Sequence, residues 1–302
     1  MDIIGKKYWY FGLSLLVVIP GLVFLLLFGL RLSIDFTGGS RLTLSFQDKV
    51  NEQAKTSVKN LLISQKISVA SLETSNNIMF IRTSPIDQNQ NNKFLDSLKN
   101  MKASQKEFET VGPTIGKEIT ASAVKAVMLA SFLVVLYITW SFRSVPRPAS
   151  SFRFGVCAII SLVHDVLVVI GIFAILGYLF HVEVDSLFVT AVLTIIGFSV
   201  HDTIVVFDRI RENLKKTSGS FDKIVNDSIL QTLGRSLNTS LTVVLVLITL
   251  LLFGGESIRW FVVALLIGVI SGTYSSIFNA APILVVWHEW SQKRSKPGFG
   301  TQ

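Results

Sequence analysis

The stretch from Leu187 to Phe207, LFVTAVLTIIGFSVHDTIVVF, is apolar enough to cross a bilayer, yet His201 and Asp202 interrupt it. About 20 apolar residues span a hydrocarbon layer of ~30 Å. An ionisable side chain at the centre of such a helix costs at least ~2.5–3.5 kcal/mol, and such residues usually bind, relay or pair with charge. The run ends abruptly at Asp208-Arg209-Ile210-Arg211-Glu212-Asn213. The stretch reads as a membrane span built around an ionisable centre.

The rest of the chain agrees with that reading. Half of the 302 residues are hydrophobic and only 16% are charged. The mean hydropathy is +0.56, the composition of a polytopic membrane protein. Six apolar runs reach spanning length, at roughly 8–30, 121–142, 154–179, 187–207, 237–253 and 260–287. The first follows Lys6-Lys7, is too long for a signal-peptide core and lacks a convincing small-residue cleavage site, so an uncleaved anchor is expected. The net charge of +8 does not point to nucleic acid, because the basic residues are dispersed and cytoplasmic loops are basic in any case. The single cysteine, Cys157, excludes an internal disulfide. The four histidines show no metal-ligand spacing, and no phosphate-binding loop or nucleophile elbow is present. Neither a metal site, a cofactor nor an enzyme is expected.

Loop charge sets the orientation. Arg143, Arg147 and Arg153 lie between spans two and three. Arg209, Arg211, Lys215, Lys216 and Lys223 lie between spans four and five, and Lys293, Arg294 and Lys296 follow span six. The loop between spans three and four carries Glu183 and Asp185 and no Lys or Arg. The positive-inside rule places both termini in the cytoplasm. The expected division is a tail and first span at 1–30, an external domain at 31–120, spans two to six at 121–290 with a cytoplasmic loop at 208–234, and a cytoplasmic tail at 291–302.

The external segment reads as a small α+β domain. Arg41–Phe46 alternates like a half-buried strand, and Asn51–Ser64 is helical in pattern. Ile67–Leu72 and Ile78–Arg82 are strands around a Ser75-Asn76-Asn77 turn. Asn91–Met101 predicts a second helix and Glu107–Val111 a last strand. The polar run Gln88–Asn92 fits a solvated loop or helix start. The order β-α-β-β-α-β is ferredoxin-like.

Several intramembrane groups are candidates for chemistry. Asp202 lies about five residues, or ~8 Å, from the charged end of span four. Burial disfavours the charged form of a carboxyl group, so a carboxyl whose water access changes suits a proton relay. The structural alternative is a static pair with Arg235, which opens span five. Asn238, Thr239 and Thr242 follow Arg235 at helical spacing and make one polar stripe suited to protein or water. His164 and Asp165 sit near the middle of span three, in Val163–Val169, an echo of Val200–Val206 around His201 and Asp202. They suit either a second relay element or a pair inside the bundle. Gly197-x-x-x-His201 and Gly268-x-x-x-Gly272 suit close helix packing, while the many lone serines carry no signal of their own.

Four segments resemble one family. Leu32-Ser33-Ile34-Asp35-Phe36-Thr37-Gly38-Gly39 resembles the G-x-D-F-x-G-G signature after the first span of SecD/SecF-type protein-export subunits. Val111-Gly112-Pro113-x-Ile115-Gly116-x-Glu118 is similar to the V-G-P-x-x-G-x-E motif before their second span. Ile195–Asn213, with Asp202, Asp208, Arg209 and Arg211, resembles the SecF-side helix-four signature, and Leu233–Thr242 resembles its R-T-x-x-T-S-x-T. Together with the six spans and one external domain, the resemblance covers nearly the whole chain. The resemblance implies half of an RND-type helix bundle in the bacterial cytoplasmic (inner) membrane, with protons as the coupling ion. It also implies SecD, the SecYEG channel, YajC and unfolded preproteins as partners, the bilayer as surroundings and no nucleic acid. The family's proton-coupling Asp and Arg fall on Asp202 and Arg235. The chain departs from the pattern at His201, where the family usually has Asn, and at Ser236, where it has Thr. Two competing readings are half of an RND-type small-molecule efflux transporter, disfavoured by the ~80-residue external domain, and a purely structural assembly scaffold.

Overall fold

The computed structural model describes residues 2–143, 145–146 and 150–295. Arg147 and Lys296, counted above among the basic loop and tail residues, lie outside the described residues. The chain divides into two compact units, one of Met1–Arg31 with Lys125–Gln302, the other of Leu32–Val124.

Along the chain, α1 (Lys7–Phe28) is followed by the short α2 (Ile34–Thr37), β1 (Gly39–Phe46), α3 (Glu52–Ser64), β2 (Val69–Ser75), β3 (Ile78–Thr83), α4 (Gln88–Leu98) and β4 (Ala103–Val111). Then come α5 (Pro113–Ser141), α6 (Ser151–Phe180), α7 (Ser186–Lys216), α8 (Phe221–Phe253), α9 (Arg259–Ser275) and α10 (Ala281–Ser295). Six helical segments are long and apolar enough to cross a membrane, as the hydropathy pattern predicts.

In the smaller unit the four strands form one antiparallel sheet in the order β2-β3-β1-β4, which is the ferredoxin-like arrangement. Alternation on β1 and β3 sends Leu42, Leu44, Phe46, Met79 and Ile81 to one face, where they pack with Val58 and Leu62 of α3 and Phe94 and Leu98 of α4. Asn51 caps α3 by accepting from the Ala54 N–H at 2.8 Å. Asp87 and Gln90 form a reciprocal capping box on α4. The polar run 88–92 is therefore the first turn of a helix, and its Asn91 is buried in paired hydrogen bonds with Gln105, each at 3.2 Å.

In the larger unit α7 packs against α6, α8 and α9, and α6 also packs on α1. α5 is buried only at Gly116 and Ile138. The α1–α6 crossing rests on two glycines: a Cβ on Gly21 would sit 2.7 Å from the Gly171 Cα, and one on Gly171 would sit 2.8 Å from the Gly21 Cα. Only residues without side chains let the backbones approach this closely. Gly268 and Gly272 likewise pack on α7, where a Cβ on Gly272 would lie 3.2 Å from the Ser199 Cα. Gly197, expected to do the same, faces open space.

Two features add detail to the expected division. The segment 208–234 is largely helical: α7 runs on to Lys216, only residues 217–220 are non-helical, and α8 starts at Phe221. Beyond the apolar run, α7 is held by ion pairs at i+3 and i+4, from Arg211 to Asp208 (2.5 Å), Arg209 to Glu212 (2.7 Å) and Lys216 to Glu212 (2.7 Å). The start of α8 buries Phe221, Ile224, Val225, Ser228 and Ile229 on one face. Span six is not one regular helix. A five-residue π-turn, Ser276–Ala280, separates α9 from α10, just ahead of Pro282, which has no N–H to give to the preceding turn.

Candidate functional site

The site is built on α6, α7, α8 and α9, four helices that carry buried polar side chains through the apolar bundle. Asp202 of α7 is 2% exposed. The hydroxyls of Ser240 (α8) and Thr273 (α9), 2.5 Å apart, adjoin its carboxyl group. Its Oδ2 is buried and meets no hydrogen-bond partner among the described residues, as do the hydroxyls of neighbouring Thr203 and of Ser236 on α8. A buried polar atom without a partner is costly and rare. Three of them on α7 and α8 mark an interface made for something other than packing.

Asp165 of α6 is buried completely and has the opposite surroundings. Its Oδ1 accepts from Ser271 Oγ at 2.7 Å and from His164 Nδ1 at 3.0 Å. Its Oδ2 accepts from Ser199 Oγ at 2.5 Å and Ser275 Oγ at 2.6 Å. Ser161 Oγ extends the cluster to Ser275 at 3.0 Å. Gly272 lies beside the cluster, and a Cβ there would stand 3.3 Å from the Ser199 Cβ.

The expected ion pair between Asp202 and Arg235 is not formed. Arg235 is exposed on the surface of α8, and among the described residues no ion pair joins it to a carboxylate. The reason is rotational: the buried face of α8 carries Ser236 and Ser240, while Arg235, Asn238, Thr239 and Thr242 share the exposed face. His201 is exposed as well, although it adjoins Asp202 in sequence. The serines dismissed as uninformative are the missed residues. Their signal was local density, since Ser271, Thr273, Ser275 and Ser276 fall within six residues of an otherwise apolar span. Among the described residues no group of His, Cys, Asp and Glu is placed to hold a metal ion.

The glycine motifs belong to the smaller unit. Ser33 caps α2, and the turn after Phe36 puts Gly38 at φ 71° and Gly39 at φ 124°, backbone regions that favour glycine. A Cβ on Gly39 would lie 2.8 Å from the Thr83 carbonyl oxygen, and one on Gly38 would lie 3.0 Å from the Pro113 Cα. Gly116, on the first turn of α5, faces the Gly38 nitrogen and the Phe36 carbonyl at 3.0 and 3.1 Å by the same measure. Asp35, Phe36, Gly38 and Gly39 thus form a tight turn that docks on the start of α5 at Pro113 and Gly116, just after Gly112. Two motifs about 75 residues apart in sequence are one structural joint.

Comparison with known proteins decides the family. Residues 90–290 match the model for "Protein export membrane protein SecD/SecF, C-terminal", and residues 23–50 match the SecD/SecF GG motif. The chain belongs to the SecD/SecF family. This SecD/SecF member is 48% identical over 300 residues to the protein translocase subunit SecF of Thermobaculum terrenum, covering 95% of this chain and 94% of the relative. It is 46% identical to SecF of Anaerolinea thermophila, covering 98% and 99%. Against SecDF of Bacillus subtilis it is 37% identical and covers 38% of that longer chain. The crystal structure of SecDF, a translocon-associated membrane protein from Thermus thermophilus, superposes with a TM-score of 0.82 at 32% identity, covering 96% of this chain and 39% of that one. Homology of this length and depth identifies a multi-pass membrane protein with an accessory role in Sec protein export.

Proposed function

We propose that this SecD/SecF member is a proton-coupled subunit that works beside SecD and the SecYEG channel to promote late export and release of unfolded preproteins. The observation that carries the reading is Asp202, a carboxyl group buried in a membrane span with an oxygen that no protein donor satisfies. Its Oδ2 takes a proton without displacing a protein donor, and Ser240 and Thr273 set hydroxyls beside the carboxyl group. One charge crossing 100 mV supplies ~2.3 kcal/mol, enough to bias a two-state movement more than tenfold.

Arg235 takes part from the other side of α8. Its exposed stripe with Asn238, Thr239 and Thr242 is ill suited to lipid and well suited to a second helix bundle, the position SecD would fill. There Arg235 meets a carboxylate supplied by the partner and senses the protonation of Asp202 through α8. Both termini lie in the cytoplasm, the bilayer is the bacterial inner membrane, and the ferredoxin-like unit faces outward, where it contacts the emerging chain. YajC is a further partner consistent with the family.

The test is proton-gradient-dependent export in vesicles containing SecD and the channel. Asp202→Asn should abolish the stimulation while the subunits still copurify. Normal stimulation by that variant would exclude Asp202 as the carrier and leave the scaffold reading in its place.

A further inference from the structure

The two His-Asp pairs echo one another in sequence but sit in opposite sockets. An ionised carboxylate is an acceptor only, with about four lone-pair sites. On Asp165 all four are taken, by Ser199, Ser271, Ser275 and His164. A proton loaded there must first displace a donor. On Asp202 the buried Oδ2 is free of protein donors among the described residues.

The serine donors of Asp165 lie on the same helices as Asp202 and Thr273, close to them along the chain. Ser199 precedes Asp202 by one turn of α7. Ser271 and Ser275 bracket Thr273 on α9, and Thr273 is hydrogen bonded to Ser240. α7, which carries Asp202, and α9, which carries Thr273, are thereby each pinned to Asp165 within one turn of those residues. Gly272 lets α9 come close enough to α7 for this, since a Cβ there would stand 3.2 Å from the Ser199 Cα.

We propose that Asp165 is a positioning residue: its serine cage fixes the register of α7 against α9 so that Thr273 and Ser240 face Asp202, and it does not itself carry the proton. The proposal rests on the reading of Asp202 as the carrier. It assigns new roles to Ser199, Ser271 and Ser275, which act through Asp165.

Two measurements test it on the full chain assembled with SecD and the channel. The first is export stimulation by the proton gradient for the pair Ser271→Ala/Ser275→Ala, for Ser271→Thr/Ser275→Thr, for Asp165→Asn and for Asp202→Asn. The alanine pair, which removes no titratable group, should lose roughly tenfold or more of the stimulation through misplacement while the subunits still copurify. The threonine pair, which keeps both hydroxyls, should recover most of it. Wild-type stimulation in the alanine pair overturns the proposal, and so does loss in Asp165→Asn as complete as in Asp202→Asn with the alanine pair unaffected. The second is labelling of the wild-type complex with a lipid-soluble carbodiimide, which takes protonated buried carboxyl groups, read by mass spectrometry. Label on Asp202 and not on Asp165 is expected. Label on Asp165 overturns the positioning role whatever the variants do. Full stimulation in Asp202→Asn would instead sink the proton-coupling reading, and the labelling pattern would then decide the proposal alone.

Discussion

At the scale of single residues, the chain spends its polar groups unequally. Asp165 is saturated and Asp202 is not, although seven-residue segments of like sequence surround them. Arg235 is the third kind, a charge on a spanning helix that is directed away from its own bundle. Arg235→Ala should therefore leave the thermal midpoint of the isolated chain in detergent unchanged, because it breaks no contact there, yet remove gradient-dependent export; a lowered midpoint would show a structural partner. Gly39→Ala should cost the smaller unit more than ~1 kcal/mol, because alanine is strained at that positive φ and its Cβ would stand 2.8 Å from the Thr83 carbonyl oxygen. Chemical denaturation followed on that unit measures it. Of the residues involved, Asp202 and Arg235 stand out in the sequence because charge in an apolar run is anomalous. Serine is not anomalous in a membrane helix, and so Ser199, Ser271 and Ser275 became visible only once three helices brought them to one carboxylate.

At the scale of elements, close backbone approach does the packing that hydrophobic burial cannot do in lipid. α1 meets α6 at Gly21 and Gly171. Gly171→Leu should drive the two helices apart, at the ~1–3 kcal/mol typical of overpacking or more, and a fall in the detergent melting temperature reports it. The π-turn between α9 and α10 presents buried Ser276 and Asn279, and Asn279 exchanges hydrogen bonds with Ser14 of α1 at 2.8 and 3.0 Å. Asn279→Leu should cost about 0.6 kcal/mol for each such bond, the average for hydrogen bonds between membrane helices; no change in melting would mean the pair is replaced by other contacts. Helix ends were the least legible elements. Hydropathy detects the apolar part of α7 and stops at Phe207, whereas the helix continues to Lys216 on ion pairs that hydropathy scores as polar.

At the scale of the whole molecule, the six spans and the β-α-β-β-α-β unit could be read from periodicity alone, because each rests on many residues of one kind. The partner of Asp202 could not, because a helix's rotation about its own axis is set by packing, and one step of 100° carries Arg235 from the inside of the bundle to the outside. The exposed stripe of α8 predicts how the assembly holds together. Asn238→Leu, Thr239→Leu and Thr242→Leu together should keep the chain folded in the membrane and weaken copurification with SecD. Undiminished copurification would place the SecD contact on another face.

The glycine contact between α1 and α6 also has a meaning in time. Gly21 and Gly171 lie 150 residues apart in the chain, and synthesis proceeds at ~5–20 residues per second. For roughly eight to thirty seconds of each translation, the first span waits in the bilayer with its docking groove empty, and anything else with a small-residue face can reach it before its own third span arrives.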